Sequence, residues 1–211
     1  MAHYSENLVW LPDSYQVNDA TRKIAEPVPT RAELGLPQEA FVFCCFNNNY
    51  KMTPEIFAVW MRLLERVPGS VLWLLEDNAE ARRNLSAAAK ARGIDARRLC
   101  FAPRVPHEQH LARQRCADLF LDTLPCNAHT TASDALWAGL PVLTCSASTF
   151  AGPVAASLLA AYRERLARNR LSHPLFDSDR FRRVLESAYT TMWEMHLSGR
   201  APQAFAVAAP D

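Results

Sequence analysis

Glycine is scarce in this chain, with six in 211 residues and none in a G-x-G-x-x-G arrangement. That spacing lets backbone approach a pyrophosphate at the first turn of a dinucleotide-binding fold, so its absence argues against a standard NAD or FAD site. Nor do any two cysteines stand as C-x-x-C. The six lie at 44, 45, 100, 116, 126 and 145, several in apolar strand-like runs where a thiol behaves as a small buried hydrophobe. They read as reduced thiols with no metal site. Cys126 sits in a polar turn, with no base evident nearby to activate it as a nucleophile. Net charge is almost absent, at +1, which gives no basic field for nucleic acid or an anionic membrane. No apolar run approaches the roughly 20 residues of a membrane span. The opening MAHYSENLVW lacks the basic start and apolar core of a signal peptide, so the expected location is cytoplasmic. No repeat recurs at the periods of helical solenoids.

What is present is a succession of apolar runs and helical stripes. The most informative stretch is Leu119 to Thr144, LFLDTLPCNAHTTASDALWAGLPVLT. Leu119-Phe120-Leu121 has the character of a buried parallel strand, and Asp122 to Ala128 supplies turn residues. A helix then opens at His129-Thr130-Thr131, with Thr131 and Asp134 at capping-box spacing, and Gly139-Leu140-Pro141 closes it. A helix opening just past a parallel strand suits a phosphate, and the same pattern also describes an ordinary crossover helix.

Further units of this kind precede it. Phe41 to Phe46 reads as a strand leading into the polar loop Asn47 to Lys51 and a helix from Pro54 to Val67. That helix carries a stripe of Ile56, Val59, Trp60, Leu63, Leu64 and Val67. Strands follow at 71–76 and 99–101, with helices at 79–92 and 108–116, and Val142-Leu143-Thr144 is the last strand. The fold class is therefore α/β, a Rossmann-like parallel sheet flanked by helices. Residues 1–36, rich in proline, form an extended lead-in; 37–198 form the lobe; 199–211 are a frayed tail. One long helix is expected from Phe150 to Arg168, a break at Ser172-His173-Pro174, and a helix from Phe181 to Leu197 striped by Val184, Leu185, Ala188, Met192 and Met195.

Ligands of open α/β sheets bind outside the carboxyl ends of the strands, and three polar clusters fall there. In the first, Lys51 can neutralise a phosphate and Asn48 can bind hydroxyls, or the loop is simply solvated. The second is His107, His110 and Arg113, with 110 and 113 on one helix face; two histidines without a carboxylate partner make a poor metal site. The third is His129, Thr130, Thr131 and Asp134, where hydroxyls and N–H groups can hold a diphosphate. There Asp134 either accepts from sugar hydroxyls or caps the helix. Together the clusters describe a nucleotide-sugar pocket better than a hydride-transfer site.

The segments FNNNYKMTPEIFAVWMRLLERVPGSVLWLL, FAPRVPHEQHLAR, ADLFLDTLPCNAHTTASDALWAGLPVLT and SHPLFDSDRF resemble the C-terminal catalytic lobe of the O-linked N-acetylglucosamine transferases, the SPINDLY-like proteins and their bacterial relatives. The resemblance covers nearly the whole chain. It implies the C-terminal lobe of a GT-B glycosyltransferase, a UDP-GlcNAc donor, no required metal or other cofactor, and inverting transfer to Ser or Thr hydroxyls of an acceptor protein. Within it, Lys51 corresponds to the lysine that stabilises the departing diphosphate, and Asn48 stands where Gln is frequent near that phosphate. His107 falls where animal members have a Lys beside the uracil, and His110 and Arg113 match residues around the base. His129, Thr130 and Thr131 match the diphosphate-binding turn, and Asp134 the ribose-binding carboxylate.

There are departures from that pattern. The tetratricopeptide repeats and the N-terminal catalytic lobe are missing, leaving a remnant resembling YSENLVWLPDSYQVND, so a separate N-terminal lobe or repeat protein is an expected partner. Pro153 interrupts a segment that reads close to TFASRVAAS in the family. After Ala161 a strand and helix are skipped, an internal deletion of roughly 30 residues, about one βα unit. The alternatives are a different donor, GDP-fucose or UDP-glucose, and a catalytically inactive truncated fragment.

Overall fold

A computed structural model describes residues 5–11, 16–145 and 177–208 of the chain. The long helix expected over 150–168, Pro153, the break at 172–174 and the deletion near Ala161 all lie outside the described residues. The chain divides into two compact units, residues 1–21 with 167–211 and residues 22–166. Residues 22–36 therefore group with the sheet, and the C-terminal helix groups with the start of the chain, a partition different from the one expected from sequence.

The larger unit is built on a five-stranded, all-parallel sheet. Its strands are β2 (Val42–Cys45), β3 (Val71–Leu75), β4 (Leu99–Ala102), β5 (Leu119–Leu121) and β6 (Val142–Leu143). They lie in the order β4-β3-β2-β5-β6. The chain thus builds outward from β2 to β4, then crosses back to add β5 and β6 on the other side. Between β2 and β5 the winding reverses, which is where open α/β sheets bind ligands.

Strand alternation sorts the core into two faces. Phe43, Cys45, Leu72, Leu74 and Leu121 lie in one cluster with Ile56, Phe57, Trp60, Met61 and Leu64 of α1 (Pro54–Arg66). Ala89 of α2 (Ala79–Lys90) completes that side. On α1 the buried stripe runs through Phe57 and Met61, and Val59, expected in it, is exposed at 44%. A stripe at helical period fixes the spacing of core residues but not the few tens of degrees of rotation, which packing against the sheet selects. The intervening strand residue Trp73 packs on Phe46, with ring centroids 5.0 Å apart. That places it with α3 (His107–Gln114), whose Arg113 lies over both rings.

The first two crossover helices start where a side chain satisfies an otherwise unpaired N–H. Thr53 accepts from Ile56 N–H at 3.3 Å and Asn78 from Ala81 N–H at 2.7 Å. The fourth helix, α4 (Thr130–Ala138), ends at Gly139, whose φ of 87° permits the paired bonds Leu140 N–H to Ala135 O and Gly139 N–H to Leu136 O.

At the amino ends of the strands, polar side chains serve structure. Arg31 donates to the carbonyls of Gln38, Ala40 and Cys116 and pairs with Asp118 at 2.8 Å, while Asp118 also accepts from Val42 N–H. Arg98 donates to the carbonyls of Leu64, Val67 and Ser70.

In the smaller unit, α5 (Ser178–Leu197) begins at the Asp177 cap. Val184 and Ala188 of α5 pack with Val207, Val9, Leu11 and Phe205. Of the expected α5 stripe, Val184, Ala188 and Met195 are buried, whereas Met192 is exposed. Within the tail expected to be frayed, Phe205–Ala206 form a short strand, β7, paired in parallel with β1 (Val9–Trp10). Its bonds to Leu8 O and Trp10 O outweigh the weak local propensity of the tail sequence.

Candidate functional site

A second set of polar residues collects at the carboxyl ends of β2 and β5. Asn47, two residues past the end of β2, is 1% exposed and donates from Nδ2 to Thr123 Oγ1 at 2.8 Å, bridging the two strand ends. Its Oδ1 accepts a short hydrogen bond from Thr131 Oγ1, in the first turn of α4. Asp122, at the end of β5, holds the loop between that strand and the helix. Its Oδ1 accepts from Thr123 N–H at 2.7 Å and Ala128 N–H at 2.6 Å, and its Oδ2 accepts from Asn127 Nδ2 at 2.8 Å and Thr144 Oγ1 at 2.6 Å. A buried carboxylate with four donors fixes the loop so that α4 presents its N-terminus to the mouth.

Lys51 closes the short 3-10 turn Asn49–Lys51, and its Nζ donates to Asn127 O at 3.1 Å. The first and third sequence clusters are therefore brought together, through Lys51 to Asn127 and through Thr131 to Asn47. His129 is the residue preceding α4 and is half-buried; Thr130 is exposed. Burial, and then the charge of Lys51, hold the His129 imidazole below the usual histidine range, against the opposing pull of Asp122. A positive side chain beside a helix N-terminus is an arrangement that receives anions.

The expected capping box is not formed. His129 is the cap residue, without a side-chain cap, so Thr131 and Asp134 lie inside the helix and their side chains turn elsewhere. Asp134 accepts from Arg22 Nη1 at 2.5 Å through Oδ1, and its Oδ2 stands 3.3 Å from His107 Nε2. The second cluster thus joins the third through His107. That histidine is the first residue of α3, one position earlier than the expected start, and α3 ends at Gln114 rather than 116.

His110 and Arg113 do share a face. Arg113 donates to His110 Nδ1, with Nη2 at 2.7 Å and Nε at 3.1 Å, and from Nη1 to Pro103 O at 2.5 Å. A nitrogen that accepts from a guanidinium carries no proton of its own, so His110 is neutral with its proton on Nε2. Consistent with this, burial, then Arg113 and His107, push its pKa down to about 4. Burial likewise lowers Arg113 to about 10. Asn48 lies at the rim, where Arg104 Nη2 approaches its Oδ1 at 3.4 Å while pairing with Asp77 at 2.7 Å.

Cys44 and Cys45 are buried and their thiols pushed up by desolvation, Cys45 to about 12, which fits inert core residues. Among the described residues no group of three or more His, Cys, Asp or Glu side chains is placed to hold a metal, and no helix is long and apolar enough to cross a membrane.

Sequence reasoning missed Asn47, Asp122, Thr123, Asn127 and Arg22. The Asn47-Asn48-Asn49 run was visible, but which amide turns inward depends on the phase of β2. Asp122 had a usable signal, as the acidic residue that immediately ends a buried strand. Arg22 had none, being 112 residues from its partner.

Comparison with known proteins agrees with this architecture. The Glycosyl transferase family 41 signature matches residues 21–173. The Arabidopsis thaliana protein named probable UDP-N-acetylglucosamine–peptide N-acetylglucosaminyltransferase SEC is 37% identical over 244 aligned positions, covering 99% of this chain and 25% of its own length. A Caenorhabditis elegans UDP-N-acetylglucosamine–peptide N-acetylglucosaminyltransferase is 40% identical over 132 residues, 63% of this chain and 12% of that one. The chain therefore spans at most about a quarter of the length of these two relatives. A solved mutant O-GlcNAc transferase from Thermobaculum terrenum superposes with a TM-score of 0.65 at 30% identity, over 72% of this chain and 36% of that one. Sucrose-phosphate synthase from Thermosynechococcus elongatus gives 0.56 at 14% identity over 84% of this chain and 51% of that one, a likeness of fold alone. With its polar groups gathered at the switch point of a sheet that such enzymes share, this chain belongs to glycosyltransferase family 41 and has the fold of a GT-B C-terminal lobe.

Proposed function

We propose that this lobe binds UDP-GlcNAc and supports inverting transfer of N-acetylglucosamine to Ser or Thr hydroxyls of proteins, with a second lobe or repeat protein supplying the opposite wall. The observation that carries the reading is the bond from Lys51 Nζ to Asn127 O, which holds a cation beside the N-terminus of α4. As the anomeric carbon is attacked and uridine diphosphate departs, negative charge grows on the diphosphate. Lys51 and the helix N-terminus meet that charge without reorganising, because both are fixed beforehand. His129, Thr130 and Thr131 hold the diphosphate, Asn48 lies near it, Asp134 takes the ribose, and His107, His110 and Arg113 surround the base.

Positive charge from Lys51 and the helix dipole lets this reading operate without a metal. The two relatives above are named for UDP-N-acetylglucosamine and peptide, which supports this donor over GDP-fucose or UDP-glucose. An alignment of 244 positions against a chain of 211 residues supports a lobe shortened relative to the plant protein.

Calorimetric titration with UDP and with GDP tests the proposal. Binding of UDP in preference to GDP is expected, and binding of neither would sink the donor-lobe reading. Binding without transfer of labelled sugar to peptide marks a lobe that requires its partner.

A further inference from the structure

Asp134 has two carboxylate oxygens, and the fold gives them different neighbours. Oδ1 meets Arg22 Nη1 at 2.5 Å, and the two side chains are only 8% and 7% exposed. Oδ2 faces His107, which is 52% exposed, so this second oxygen adjoins the open mouth of the site.

Arg22 is itself gripped by α4. Its Nη2 reaches Ser133 Oγ at 3.4 Å, and its guanidinium carbon lies 4.9 Å from the centre of the Trp137 ring. The Trp137 indole N–H donates to the Arg22 backbone carbonyl at 3.2 Å. The guanidinium therefore cannot swing away without giving up contacts to three side chains of one helix. A buried carboxylate without a cation is costly, and one that rotates freely loses orientational freedom when a ligand binds. Arg22 removes both costs.

We propose that Arg22 is a positioning residue for nucleoside recognition: it compensates Asp134, fixes the carboxylate through Oδ1, and leaves Oδ2 as the acceptor for a ribose hydroxyl. The inference rests on the donor-lobe reading above and deepens it. Arg22 touches no nucleotide in this arrangement; it acts through Asp134. A plain structural clip joining residue 22 to α4 would make the same contacts, so the test must read the ribose itself.

The test is calorimetric titration of the full chain with UDP and with 2′,3′-dideoxyuridine diphosphate, in the unaltered protein, Arg22→Gln and Arg22→Lys, with folding followed by circular dichroism. The unaltered chain is expected to prefer UDP by about tenfold or more, the scale of one hydrogen bond to a charged group. Arg22→Gln should weaken UDP by about tenfold and leave the dideoxy analogue within about twofold. Arg22→Lys keeps the charge but not the planar fork, and should lower the preference by about threefold or more; it decides the matter alone if Arg22→Gln does not fold. Folded variants that weaken both nucleotides alike, or that retain the full preference, overturn the inference, as does an unaltered chain that binds both nucleotides equally. Failure of the unaltered chain to bind UDP overturns the donor-lobe reading, and this inference with it.

Discussion

Asn47 and Thr123 stand at the carboxyl ends of neighbouring strands and join them across the switch point by a 2.8 Å hydrogen bond from Nδ2 to Oγ1. Because Asn47 Oδ1 also accepts from Thr131, one amide ties β2, β5 and α4 together. Replacing Asn47 with Ala leaves two threonine hydroxyls without that partner in a buried setting. A loss of about 1–3 kcal/mol in unfolding free energy is expected, read from urea denaturation. Asn47→Asp keeps the acceptor for Thr131 but brings a negative charge to an anion site, so it should impair UDP binding more than Asn47→Ala does.

Lys51 is expected to act on the diphosphate. Lys51→Ala should weaken UDP binding by about 1.5–3 kcal/mol, the range for a hydrogen bond to a charged group. Uridine, which lacks the diphosphate, should bind the variant and the unaltered chain alike. Equal loss for uridine and UDP would show that Lys51 supports the loop and not the phosphate.

Asp122 is expected to matter for the architecture of the mouth. Asp122→Ala removes the acceptor for four donors and frees the loop that orients α4. A destabilisation of about 3 kcal/mol is expected in denaturant unfolding. Hydrogen exchange should show loss of protection at Thr123 and Ala128, and unchanged protection there would count against this role.

The pH dependence of stability has a predicted sign. In the folded chain His110 takes up its proton only near pH 4, whereas an unfolded histidine does so near 6.5. Between those values the unfolded state holds more protons, so stability falls as pH drops from about 6.5 through about 4. His129, also held low, contributes in the same direction. Denaturation midpoints compared at pH 7 and pH 5 should differ less in His110→Gln than in the unaltered chain. An unchanged difference would mean that His110 is not the group responsible.

The α/β class, all five central strands to within a residue or two, and the helices of the larger unit were legible in the sequence. Buried parallel strands such as VLWLL and capped helices such as the one after Thr53-Pro54 are specified by neighbouring residues, so local reading reaches them. The three polar clusters were legible too, since each follows a strand. The pairing of β1 with β7 was not, because two-residue strands carry no periodicity and their partners lie nearly 200 residues apart.

Residue types and spacing by themselves determined that Lys51, His107, His110, Arg113 and His129 to Asp134 would lie at strand ends of one sheet. Tertiary structure alone decided how those ends are wired: Asn47 turned inward, Asp122 held four donors, Thr131 and Asp134 left the expected cap for partners on other segments, and Arg22 arrived at Asp134 from far along the chain. The physical reason is range. Periodicity and capping are set by residues within one or two turns, whereas the partner of a buried polar group is whatever the folded chain brings within about 3 Å.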